Sequence, residues 1–119
     1  MRDLVKAIKA LSDETRLRIL NLLLEKECCV CEVMQALDIS QTRASRNLSV
    51  LYDAGFLKLR KDGLWSLYSV DAEGMKPHFS NLLEAVRRGL DGNELVVEDR
   101  RRLKKAKRVG PGCALKCAR

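Results

Sequence analysis

The chain has 119 residues, 46% of them hydrophobic, 33% charged and only 4% aromatic, which is enough for one modest, aliphatic core and argues against an all-β fold. A net charge of +7 favours a polyanionic partner, although residues 91–119 hold nine of the Lys/Arg and only four of the Asp/Glu, so much of the basicity sits at the C-terminal end. No apolar run reaches the roughly 20 residues of a membrane span, so a cytoplasmic protein with no membrane partner is expected, and in that reducing compartment five cysteines point to metal binding or redox sensing rather than to a disulfide framework.

Leu4, Val5, Ile8 and Leu11 recur at helical spacing and predict a short first helix ending near Ser12. Ser12 or Asp13 caps a second helix that carries Leu17, Ile19, Leu20, Leu23 and Leu24 and runs to about Glu25. The cluster Cys28-Cys29-Val30-Cys31 opens a third, short helix with Val33, Met34 and Leu37, terminated by Asp38-Ile39-Ser40. Ser40 then caps a fourth helix from Gln41 to about Asp53, with Gly55 just past its end. Helix, short turn, helix is the helix-turn-helix layout.

Two β-prone runs, Phe56–Arg60 and Leu64–Val70, flank an Asp62-Gly63 pair and predict a hairpin, or wing. A fifth helix is expected from Glu73, with Met75, Phe79, Leu82, Leu83, Val86 and Leu90 on one stripe and Pro77 in its first turn. The reading is therefore mainly α: a winged helix-turn-helix of five helices and a two-stranded hairpin over residues 1–90. Residues 91–119 follow as a basic, cysteine-containing tail, in which the run from Glu98 to Arg108 can extend as a charged helix before Gly110-Pro111-Gly112. The apolar stripes of the first and fifth helices exceed what so short a chain can cover, which predicts a dimer.

With Ala44, Leu48 and Leu51 as its buried stripe, the fourth helix turns Thr42, Arg43, Ser45, Arg46 and Ser49 outward or to its flanks. Arginine can bond guanine O6 and N7 bidentately, while Ser and Thr reach phosphates and base edges. Gln41, at the helix start, would enter the groove first. Arg60 and Lys61 are expected at the hairpin tip, against phosphates or the minor groove. Trp65 and Tyr68 are read as packing the wing. The candidate partner is double-stranded DNA.

Thiolates are soft ligands that select thiophilic ions, and a helix start lowers thiol pKa. Cys28, Cys29 and Cys31 are therefore candidate ligands, with Cys113 and Cys117 from the tail. In an ideal helix Cys29 and Cys31 would lie about 200° apart, so binding through both should distort the turn, whereas Cys28 and Cys31 share a face. His78 has only Glu84 as a further ligand type over residues 78–90, which discounts a zinc site on the fifth helix. One His, no Ser-His-acid set and no glycine-rich phosphate loop argue against an enzyme.

Leu11-Ser12-Asp13-Glu14-Thr15-Arg16-Leu17-Arg18-Ile19-Leu20, the segment Ser40 to Ser45 with Leu48, and the pattern Leu51, Gly55-Phe56-Leu57, Arg60, Gly63 and Tyr68 resemble the ArsR/SmtB family of winged-helix metalloregulatory repressors over roughly residues 1–90. Cys29-Val30-Cys31 is similar to the family's Cys-Val-Cys sensor motif. A third cysteine, which arsenical members often carry three residues on, is replaced here by Met34, and many members have His where this chain has Asn47.

The resemblance implies a homodimer joined by the first and fifth helices, bound to operator DNA and released when arsenite, or else antimonite, cadmium or lead, binds cysteine thiolates, with no organic cofactor. The third ligand is open between Cys28, Cys113 and Cys117, the last two from either subunit. The competing readings are a cadmium- or lead-type sensor, a thiol redox-sensing repressor and a zinc-stabilised interaction module.

Overall fold

The structure, a computed structural model, describes residues 1–109 as α1 (Arg2–Leu11), α2 (Glu14–Glu25), α3 (Val30–Leu37), α4 (Gln41–Asp53), β1 (Leu57–Asp62), β2 (Trp65–Val70), α5 (Pro77–Gly89) and α6 (Glu94–Lys105). Local chemistry sets most boundaries. The Asp13 carboxylate accepts from the Arg16 amide at 3.0 Å to start α2, and the Ser40 hydroxyl accepts from the Arg43 amide at 3.2 Å to start α4. Between α3 and α4 the chain turns at Asp38, left-handed at φ 55°, a conformation that Asp tolerates better than most residues. Gly55 ends α4 at φ 99°, and a Cβ there would lie 3.3 Å from the Phe79 ring, so both backbone and packing call for glycine.

β1 and β2 pair antiparallel from Leu57↔Val70 to Asp62↔Trp65, leaving Gly63-Leu64 as a two-residue loop. Gly63, at φ 63°, supplies the positive φ at the first central position, the pattern of a II′ hairpin turn. Arg60 and Lys61 therefore lie within β1, opposite Leu67 and Ser66, and not at the tip. α5 starts at Pro77, later than the Glu73 expected from the apolar stripe. Proline forces the preceding residue out of the helical region, and Lys76 is extended at φ −64°, ψ 147°.

The core gathers Ile19, Leu20 and Leu22 of α2, Val33, Ala36 and Leu37 of α3, Leu48 and Leu51 of α4, with Phe56 and Leu67. Each large aliphatic side chain removed from water there contributes about 1.5–3 kcal/mol. Phe56 meets Phe79 of α5 with ring centroids 5.4 Å apart, and His78 packs edge-on against Phe79 at 4.8 Å.

The apolar stripe of α1 is left uncovered within the chain, as its length led one to expect. Ala7 and Ala10 face the core, while Leu4, Val5 and Ile8 are exposed, Ile8 by 50%. The sequence reading closes the body at residue 90, yet α6 packs on α2 and α3. Its face is partly polar: Asn93 caps it at Leu95 and Val96, Val96 and Leu103 are buried, and the wholly buried Asp99 takes a bidentate pair from Arg18 at 2.8 and 2.9 Å. Arg100 adds a bond to Asn21 at 2.8 Å.

Candidate metal centre and nucleic-acid interface

Cys29 is not part of α3. It is the N-cap, with extended backbone at φ −85°, ψ 170°, so the helical spacing that would separate it from Cys31 does not apply. Their sulfurs lie 3.0 Å apart, both buried, while α3 remains regular. The distortion expected from the sequence is thus not required. Two thiolates about 2.3 Å from one ion, at angles of about 90–109°, would be about 3.3–3.8 Å apart, so the pair fits a shared thiophilic ion after opening by less than an ångström.

Cys28 faces elsewhere. Its Sγ contacts the Lys26 carbonyl at 3.4 Å, and its backbone pairs with Tyr68 of β2 through two bonds, 3.0 Å from its N–H and 2.9 Å to its C=O. Burial, then the Glu32 carboxylate, push its thiol up to about 12, which opposes the thiolate needed for binding. Cys113 and Cys117 lie outside the described residues, among which no group of three or more His, Cys, Asp or Glu is placed to hold a metal.

Glu32 organises this corner. Almost fully buried, it accepts from the Cys29 amide at 3.0 Å, the return half of a capping box, and pairs with Lys26 at 2.8 Å and Arg108 at 3.0 Å. Burial alone would raise its pKa, but the bonds from Lys26, the Cys29 amide and Arg108 outweigh burial and hold it below the ordinary carboxylate range. The chain past α6 crosses the cysteines: the Val109 amide donates to Cys31 Sγ at 3.4 Å. Nothing in the sequence pointed to Glu32 or Arg108 as partners, which lie 76 positions apart; the one legible cue was a Glu three residues after Cys29.

On α4, Thr42, Arg43, Arg46 and Ser49 are exposed and Gln41 and Ser45 half-buried, while Ala44, Leu48 and Leu51 are buried as expected. Arg43 bends toward α2, donating to Thr15 Oγ1 at 2.8 Å. Asn47 is also buried. It donates to the Arg43 carbonyl at 2.9 Å and accepts from Arg16 at 3.1 Å, and Arg16 also donates to the Lys9 and Ala10 carbonyls at 3.1 and 2.6 Å. At position 47, where many members of the resembled family have His, the Asn47 side chain thus joins α4 to α2 and, through Arg16, to the end of α1. In the wing, Lys61 donates to Ser66 at 2.7 Å, and the Arg60 guanidinium is held by both oxygens of Glu27. The structure thus groups Gln41, Thr42, Ser45 and Arg46 on one accessible face and turns Arg60 back toward the cysteine segment.

The family model described as bacterial regulatory protein, arsR family, matches residues 13–64. The chain is similar to a Staphylococcus aureus homologue of the cadmium resistance transcriptional regulatory protein CadC, 44% identical over 75 residues, covering 62% of each. It is also similar to the arsenical resistance operon repressor of Escherichia coli K12, 48% identical over 65 residues, 54% of this chain and 56% of that one. The chain thus spans a little over half the length of these two relatives. Among solved structures it is similar to a homodimeric winged helix-turn-helix DNA-binding domain from Mycobacterium bovis, with a TM-score of 0.65, 28% identity and coverage of 78% of this chain and 82% of that one.

Proposed function

The chain belongs to the ArsR family of bacterial regulatory proteins, whose winged-helix fold is that of DNA-binding regulators rather than enzymes, and from that premise we propose a metalloid-responsive transcriptional repressor. It binds operator DNA as a homodimer through α4 and the wing, and lets go when arsenite or antimonite is taken by the Cys29 and Cys31 thiolates. The observation that carries this reading is the contact of those two sulfurs, 3.0 Å apart, at the start of the first helix of the helix-turn-helix. Residues 1–90 carry DNA binding and dimerisation, and residues 91–119 serve the response. The exposed Leu4, Val5 and Ile8 of α1 supply an apolar face for the second copy. No helix among the described residues is long and apolar enough to cross a membrane, which accords with a cytoplasmic site of action.

For the third ligand the reading now favours the tail. Cys28 is engaged with the Lys26 carbonyl and its thiol is pushed up to about 12. Cys113 follows four residues after Val109, which touches Cys31, and four residues reach at most about 14 Å. Cys113 of the same subunit is therefore the leading candidate, with Cys117 next. The relatives' names include both arsenic and cadmium resistance, so the ion is to be decided by experiment: operator release followed by fluorescence anisotropy with arsenite, antimonite, cadmium and lead in turn. Release by arsenite at the lowest concentration is expected, and release by none of the four would overturn the assignment.

The 3.0 Å sulfur contact also favours a second reading, a redox sensor in which the two thiols join as a disulfide and pass two electrons and two protons to an oxidant. Intact-mass analysis separates the two: a loss of two hydrogens accompanying DNA release under mild peroxide, without response to arsenite, would favour it.

A further inference from the structure

Val109 stands between the thiol pair and the wing. Its amide donates to Cys31 Sγ at 3.4 Å, and its carbonyl accepts from the indole Nε1 of Trp65, on β2, at 3.3 Å. The two residues before it are pinned to the same face of α3. Lys107 and the Gln35 side chain exchange two bonds, 3.1 Å from the Lys107 amide and 2.7 Å to its carbonyl, and Arg108 donates to Glu32 at 3.0 Å. One short segment of irregular chain thus touches positions 31, 32 and 35 of α3 on one side and a wing side chain on the other.

We propose that residues 107–109 are a strap that senses occupancy of the thiol pair and passes it to the wing through Trp65. The proposal rests on the reading of Cys29 and Cys31 as the inducer site and adds the route by which that site acts. Coordination takes sulfur electron density that the Val109 amide otherwise uses, and it moves Cys29 and Cys31 apart from their 3.0 Å contact. The strap must follow or detach. Either outcome removes or shifts the acceptor of the half-buried Trp65 N–H, and loss of that hydrogen bond changes how Trp65 packs on β2. The Cys28–Tyr68 bridge makes the sensor segment and β2 neighbours already, so the wing is mechanically close to the site. The contacts thus give the wing a role in release that does not require α3 to unwind.

Trp65 is the single tryptophan of the chain, so its emission reads this contact directly. In the full-length dimer, sodium arsenite is expected to red-shift that emission with the same midpoint as operator release. The double variant Gln35→Ala/Arg108→Ala, which removes the two side-chain anchors of the strap, is expected to show the shifted emission without arsenite. It should bind operator about two- to tenfold more weakly, the change that loss of a hydrogen bond or two corresponds to. Circular dichroism and sedimentation confirm that it remains folded and dimeric, and should it not, Trp65→Phe, which keeps the ring and removes the donor, gives the same reading of operator affinity. Wild-type emission that stays flat while arsenite releases DNA overturns the strap, as does a folded variant with wild-type emission and affinity. A Cys29→Ser protein that responds to arsenite like wild type would instead overturn the thiol-pair reading, leaving the link between strap and wing to the ligand-free measurements.

Discussion

Arg18 on α2 and Asp99 on α6 form a bidentate pair at 2.9 and 2.8 Å, and the Asp99 side chain is wholly buried while Arg18 keeps an edge to water. This pair docks the helix that leads into the strap over Cys31. Asp99→Ala leaves the guanidinium without its partner and is expected to cost about 3 kcal/mol, the low end for breaking a buried ion pair because Arg18 is partly hydrated. Urea denaturation at fixed protein concentration measures it, and a change below about 1 kcal/mol would show that the pair is dispensable.

Cys29→Ser and Cys31→Ser each remove one soft ligand and keep a polar group of similar size. Arsenite-driven release should be lost, with about 1–3 kcal/mol of coupling gone, while operator affinity without inducer stays near wild type because serine keeps a polar group at each position and still offers the Val109 amide an acceptor at position 31. Anisotropy titrations on the same preparation read both quantities.

Cys28→Ser should leave the arsenite midpoint unchanged. A thiol pushed up to about 12 by burial and by Glu32 is also expected to be alkylated slowly by iodoacetamide at pH 8, which peptide mapping of the labelled protein would show. Truncation after residue 109, in contrast, should raise the arsenite needed for release if the tail supplies the third thiolate.

Arg46→Ala is expected to weaken specific binding by about 1–3 kcal/mol if its exposed guanidinium reaches a base, read by comparing operator with scrambled DNA. Arg43→Ala should also loosen the contact to Thr15. Lys61→Ala should lower affinity for both DNAs alike and reduce the salt slope.

Glu32→Gln tests the buried carboxylate through pH. The folded-state pKa of Glu32 lies below its ordinary value, so it contributes stability above the unfolded value of about 4.3, and that contribution disappears as pH falls through the depressed folded value. The gap in urea midpoint between wild type and variant should therefore be full at pH 7, persist at pH 5, and close only in stronger acid. A gap that closed between pH 7 and pH 5 would contradict the assignment.

The sequence by itself determined the elements whose signals are local. The caps Asp13 and Ser40, the stop at Gly55, the buried stripe Ala44, Leu48 and Leu51, and the hairpin around Asp62-Gly63 each depend on residues within one turn of one another, and this ordered set was enough for the winged-helix fold. Residue type alone was enough to propose Cys29 and Cys31 as a soft-ligand pair. Tertiary structure decided whatever depends on partners far apart in the chain. It placed Ala7 and Ala10 inward and Ile8 outward, because α1 packs on α2 and α4 through its alanine face. It gave Asp99 a partner 81 positions away, and it brought Arg108 and Val109 onto Glu32 and Cys31. Even the geometry of the thiol pair was a tertiary matter: helical periodicity set the sulfurs on opposite faces, but Glu32 holds the Cys29 amide as a cap outside the helix, and that extended residue is what lets the two sulfurs meet.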